Sequence, residues 1–148
     1  MATGTASTDF APVPGARLAS LACGIKADGS QDLALIAFDP GAMTAGVFTQ
    51  SHFAAAPVQL ARQHLSQRQP RYLLINSGNA NAATGADGLA DAKACCVALA
   101  EQAGVAPEEV LPFSTGVIGE RLAIDRITQA LPLALDQLSA DNWLAAAK

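Results

Sequence analysis

At 148 residues, 51% of them hydrophobic and 15% charged, the chain is long enough to bury a real core and reads as one globular domain, residues 1–148. A net charge of −4, with the nine Lys and Arg scattered along the sequence, leaves no basic stripe and argues against a nucleic-acid partner. No apolar run approaches the ~18 residues needed to span a bilayer, and MATGTASTDF lacks the charged and apolar segments of a secretory signal, so a cytoplasmic protein with no membrane partner is expected.

Residues 1–9 are small and polar, and Pro12, Pro14 and Gly15 punctuate the entry to the first element, so residues 1–12 read as a flexible arm, with structure starting near Arg17. Arg17 to Ile25 and Leu33 to Phe38 read as two strands joined through the turn Asp28-Gly29-Ser30, an antiparallel hairpin. Thr44 to Thr49 reads as a third strand after Asp39-Pro40-Gly41. Val58, Leu60, Ala61 and Leu65 have helical spacing behind Pro57, with Gln59, Arg62 and Gln63 outward. Tyr72 to Ile75 is a short buried strand. Asp87 reads as the cap of a long helix whose Leu89, Ala92, Cys96 and Leu99 share a face, with Gly104 as its stop. A strand holds Val110 to Phe113, and Asp125 to Leu138 is an amphipathic helix predicted to break near Pro132. A last helix runs from a cap at Asp141 through Trp143 to Lys148. Strands first and helices later predict an α/β chain of the layered α+β kind, strands packed against helices.

The aromatics Phe10, Phe38, Phe48, Tyr72, Phe53 and Phe113 are expected as scattered core anchors, the rest of the core being Leu, Ile and Val. Cys23, Cys95 and Cys96 fit neither a zinc knuckle nor a disulfide frame and read as buried free thiols. His52 and His64 lack a carboxylate pattern and read as surface or partly packed side chains, so neither metal nor cofactor is expected.

Two segments place polar residues and glycine directly after buried strands, where loops carry function. NSGNANAATG, Asn76 to Gly85, is either a strand-to-helix loop whose asparagines tie down backbone or a ligand loop; it matches neither GxxxxGK[ST] nor GxGxxG. In STGVIGE, Ser114 to Glu120, Thr115 and Gly116 stand at the end of a strand with no His or Lys activator in sequence. A hydroxyl and a backbone N–H aimed at one point form an oxyanion hole, which stabilises charge on a carbonyl oxygen while a nucleophile elsewhere attacks.

PVPGARLASLACGIK, DLALIAFDPGAMTAGVFTQ, APVQLAR, LLINSGNANAATG, VLPFSTGVIGE and DNWLAAAK occur in one order along the chain. In these the chain resembles the N-terminal part of the ornithine acetyltransferase family, the bifunctional glutamate N-acetyltransferases of arginine biosynthesis. The resemblance implies a fold superficially like the N-terminal-nucleophile hydrolases but with different connectivity. It also implies acetyl transfer from N-acetylornithine to glutamate through an acetyl-threonine, formed after the precursor cuts itself before that threonine. The oxyanion role falls on Thr115 and Gly116. Acetyl-CoA is a second acetyl donor in bifunctional members, and the chain is compatible with either version.

The Ala-Thr cleavage motif of the family does not occur up to Lys148, so the chain is expected to be most of an α chain, partnered by a β chain of the same precursor in an α₂β₂ assembly. Members often carry prolines where this chain has Arg121 and Ala123, which removes the stiffening those prolines give the loop. Two other readings stay open: a self-cleaving amide hydrolase or aminopeptidase of similar design, and a non-catalytic module using NSGNANAATG to bind a small ligand.

Overall fold

A computed structural model describes residues 11–147; the arm expected up to Pro12 falls largely outside that range, as do Phe10 and the end of the last helix at Lys148. Strands β1 (Ala16–Leu21), β2 (Leu33–Phe38), β3 (Tyr72–Asn79) and β4 (Val110–Val117) form one sheet in the order β1-β2-β3-β4. The predicted hairpin is present, with β1 antiparallel to β2 from Ala16 opposite Phe38 to Leu21 opposite Leu33. β2 and β3 are also antiparallel, whereas β3 and β4 run parallel. A parallel pair needs a long crossover, supplied by α2 (Gly85–Ala103) and the 3₁₀ turn Pro107–Glu109. Helix α1 (Ala56–Gln67) precedes β3, and α3 (Ile124–Asp136) and α4 (Trp143–Ala146) follow β4. The expected mixed α/β class is what the chain adopts.

Alternation along the strands divides the sheet into two unlike faces. Ala19, Leu21, Leu33, Leu35, Ala37, Leu74 and Val110 join one core with Leu60 of α1, Ala92, Cys96 and Leu99 of α2, and Ile127, Leu131 and Ala134 of α3. On the other face Ala34, Ile36, Leu73 and Ile75 are only half-buried, and Phe113 is exposed. That second face is apolar yet carries little cover, which is unusual for strands apolar on both sides.

Several expectations are corrected. Thr44 to Thr49 is not a strand. Both edges of β2 are taken by β1 and β3, so the segment finds no ladder there and lies against α1 instead. Thr44 N–H donates to Gln69 Oε1 at 2.7 Å, and Arg62 stacks on the Phe48 ring 5.5 Å from its centroid. β1 ends at Leu21, short of Ile25, because the chain there turns around the Asp32 carboxylate. β3 and β4 run past Ile75 and Phe113, to Asn79 and Val117, because they pair with one another. α2 begins at Gly85, so Asp87 lies in its first turn rather than capping it. Asn142, not Asp141, precedes α4.

α3 continues through Pro132, which faces solvent while Ile127, Leu131 and Ala134 anchor the opposite side, so the missing amide costs less than the buried face secures. The aromatics are mostly not core: Tyr72 is buried, Phe38 and Phe48 are half-buried, and Phe53 and Phe113 are exposed. Small side chains let the layers close without them. His64 is buried, contrary to expectation, and its Nδ1 lies 2.8 Å from Val110 O. A carbonyl only accepts, so Nδ1 carries the proton and ties α1 to β4. Gly104 ends α2 in the left-handed conformation as predicted (φ 67°), its N–H bonded to Ala100 O. No helix among the described residues is long and apolar enough to cross a membrane.

Candidate functional site

β4 is the sheet edge, and its burial changes along its length: Val110, Leu111 and Pro112 are buried, while Phe113 and the residues from Thr115 onward are exposed. Ser114 and Thr115 therefore belong to the strand, not to a loop after it. Parallel pairing puts Ser114 beside Asn76 on the helix-covered face, and Thr115 beside Ser77 on the open face. Ser114 Oγ donates to Asn76 Oδ1 at 2.6 Å. Its partner is a neutral amide, not a base, which leaves Ser114 unactivated.

Thr115 borders an apolar groove of about 450 Å³ shared with Val47, Phe48, Val58, Ile75 and Phe113. No titratable side chain lines it. Gly116 stands opposite Gly78, and both have positive φ, 134° and 105°. The strands meet there so closely that a Cβ on Gly116 would fall 2.3 Å from the Gly78 carbonyl carbon. Only glycine allows that approach. Beyond it the pairing shifts, and Asn79 is partner to both Thr115 and Val117, a bulge opposite the Thr-Gly pair.

The asparagines of NSGNANAATG take the backbone-tying role. Asn76, Asn79 and Asn81 are all buried. Asn76 Nδ2 donates to Asn79 O at 2.8 Å; Asn79 Nδ2 donates to Glu120 O and Arg121 O; Asn79 Oδ1 accepts from Asn81 N–H at 2.8 Å. Asn81, at φ 46°, donates through Nδ2 to Gly88 O and accepts from Thr84 Oγ1. All three Asn side chains are thus engaged with the segment's own surroundings, which weighs against the binding-module reading.

The loop after β4 is held in a way sequence did not reveal. Gly119 N–H donates to Ala82 O, and Arg121 reaches α2 with two bonds of 2.7 Å to the Asp91 carboxylate and one of 3.1 Å to Asp87. Asp91 is buried, so the paired geometry also satisfies a charge that burial would otherwise penalise. The stiffening that prolines would give is replaced by side-chain ties.

Across the sheet, Asp32 is buried and organises the turn between β1 and β2. Its oxygens accept from Cys23 N–H at 2.6 Å and Lys26 N–H at 2.8 Å, and its carbonyl accepts from Ser77 N–H. This sets Ile25 over Gly78, where a Cβ would lie 2.8 Å from Ile25 Cγ2. Burial pushes the Asp32 carboxyl up, but the donated backbone bonds outweigh it and hold it below the ordinary 3.8. The unfolded chain thus binds the proton first as pH falls. The contribution of the carboxylate is complete above the unfolded value and is lost as pH drops through the folded one. Asp32→Asn should therefore be less stable than the parent by a gap that is constant above about pH 5 and narrows below about pH 4 in urea titrations; a gap independent of pH would remove the ionised carboxylate from the account.

The cysteines are free thiols as predicted, Cys95 and Cys96 buried and Cys23 half-buried. Burial pushes Cys95 and Cys23 up to about 12, the Asp32 carboxylate adding to the shift of Cys23, and Cys96 further still. None is a thiolate nucleophile near neutral pH. His52 is exposed and lies away from Thr115, in a separate cavity bordered by Phe53 and Leu89.

Residues 17–148 match the model of the ArgJ family. The chain is 54% identical over 137 residues to the arginine biosynthesis bifunctional protein ArgJ of Methylococcus capsulatus, covering 93% of this chain and 33% of that protein. It is 52% identical over 136 residues to the protein of the same name from Pseudomonas syringae pv. tomato, covering 92% and 33%. The chain thus spans about a third of the length of these curated relatives. Among solved structures it resembles ornithine acetyltransferase from Mycobacterium tuberculosis, crystallised with ornithine, at a TM-score of 0.78 and 39% identity, over 88% of this chain and 70% of that one. It also resembles the arginine biosynthesis bifunctional protein argJ of Bacillus halodurans, at a TM-score of 0.76 and 33% identity, over 80% and 62%.

Proposed function

The chain belongs to the ArgJ family, and from that premise we propose that it is the oxyanion-bearing part of an acetyltransferase moving the acetyl group of N2-acetyl-L-ornithine to L-glutamate. The observation that carries this is the Thr115 hydroxyl beside the Gly116 backbone, at a groove with no titratable lining. Such a place suits stabilisation of charge and is unsuited to generating a nucleophile.

In the proposed reaction a threonine from the remainder of the protein attacks the acetyl carbonyl. The carbonyl oxygen takes the negative charge and accepts from Thr115 O–H and Gly116 N–H. Collapse returns the electron pair, breaks the C–N bond and releases ornithine, whose amine takes the proton, leaving acetyl-threonine. The amine of glutamate then attacks the ester carbon, and the second intermediate, held by the same donors, collapses with cleavage of the C–O bond, releasing acetylglutamate while the proton lost by the amine returns to the threonine oxygen. In the bifunctional version of this proposal acetyl-CoA is a second donor to the same threonine; in the monofunctional version N-acetylornithine alone supplies the acetyl group.

Two observations support a partner for the chain: it spans a third of its relatives, and the sheet face bearing Ile36, Leu73, Ile75 and Phe113 is apolar and thinly covered. We assign that face to the remainder of the same protein, the β chain of an α₂β₂ assembly. The test is an assay of the complete protein with N-acetylornithine, with and without glutamate. Acetylglutamate is expected only when glutamate is present. Release of acetate without acetylglutamate would replace transfer by hydrolysis.

A further inference from the structure

We propose that Asn79 is a positioning residue for the Thr115–Gly116 pair, an inference that rests on the oxyanion reading above. Three observations meet at this one residue. Its backbone is the bulge partner of both Thr115 and Val117, so its placement sets the course of the edge strand on either side of Gly116. Its Nδ2 donates to Glu120 O at 3.3 Å and to Arg121 O at 3.0 Å, which fixes the exit of that strand. Its own carbonyl is held by Asn76 Nδ2, and Asn76 Oδ1 in turn accepts from Ser114, the residue before Thr115.

The network therefore grips β4 on both sides of Thr115 and Gly116, and Asn79 meets those two residues only through its backbone. Donors to a developing charge act only when their direction is fixed beforehand, and a displacement of about 1 Å costs up to ~10²-fold in rate. Edge strands have no second neighbour to fix them. Asn79, buried at 6% exposure, supplies that constraint from the β3 side.

Asn79→Asp in the complete enzyme keeps the Oδ1 acceptor for Asn81 N–H and removes the donor to the two carbonyls. A fall in kcat of about 10- to 100-fold is expected, with KM for N-acetylornithine holding steady. The double variant Asn79→Asp/Thr115→Ala should be slower than Thr115→Ala by less than the Asn79→Asp factor measured alone, because only the Gly116 donor is left to misplace and residues acting through one another are not additive. A folded Asn79→Asp enzyme with parental kcat overturns the proposal, as does a double variant slowed by the product of the two single effects. If urea titration shows that Asn79→Asp does not fold, Ser114→Ala decides in its place. It removes the bond to Asn76 and should lower kcat by a smaller factor, again absorbed in part in Thr115→Ala; an unchanged or additive result overturns the proposal equally. Were Thr115→Ala itself to leave kcat unchanged, the oxyanion reading would fail, whatever Asn79 does.

Discussion

Thr115→Ala in the complete enzyme is expected to lower kcat by roughly 10²–10³, the usual loss for one oxyanion donor. The side chain is exposed on the open sheet face and no protein group accepts a hydrogen bond from it among the described residues, so the fold should persist and the urea midpoint should hardly move. The donor works only once charge has developed, so the effect belongs in kcat more than in KM. A variant with parental kcat would take Thr115 out of catalysis.

Gly116→Ala is expected to act on the fold first and on the chemistry as a consequence. The added methyl meets the backbone of β3, 2.3 Å from Gly78 C and 2.5 Å from Asn79 N. The backbone φ of 134° is itself unfavourable for alanine, at a cost of roughly 1–3 kcal/mol before any clash. The β3–β4 edge has to part, so both the unfolding midpoint and kcat should fall. Gly119→Ala is the comparison: its φ is 83° but its Cβ would meet nothing within 4 Å, so only the backbone cost remains. Equal stability losses in the two variants would show that the close approach to Gly78 is not what demands glycine at 116.

Much of this was legible in the chain itself because its causes lie within a few residues. The hairpin of β1 and β2 follows from two apolar runs either side of a turn. Pro57 opens α1 in its first turn and Gly104 closes α2 in the left-handed conformation. The spacing of Cys23, Cys95 and Cys96 excluded a disulfide frame, and the STGVIGE stretch marked Thr115 and Gly116 as a pair worth testing.

Tertiary structure decided whatever depends on a partner far along the chain. Thr44 to Thr49 has the composition of a strand, but β1 and β3 occupy both sides of β2, the strand that precedes it, and the segment lies against α1 instead. His64 is buried because β4, 46 residues later, offers it a carbonyl. Gly116 needs to be glycine because Gly78 lies against it, and Asn79 and Arg121 hold the loop through bonds spanning 42 and 30 residues. Propensity and periodicity are properties of neighbours in sequence; close approach, bulges and satisfied buried polar groups are properties of neighbours in space, and those are what place Thr115 and Gly116.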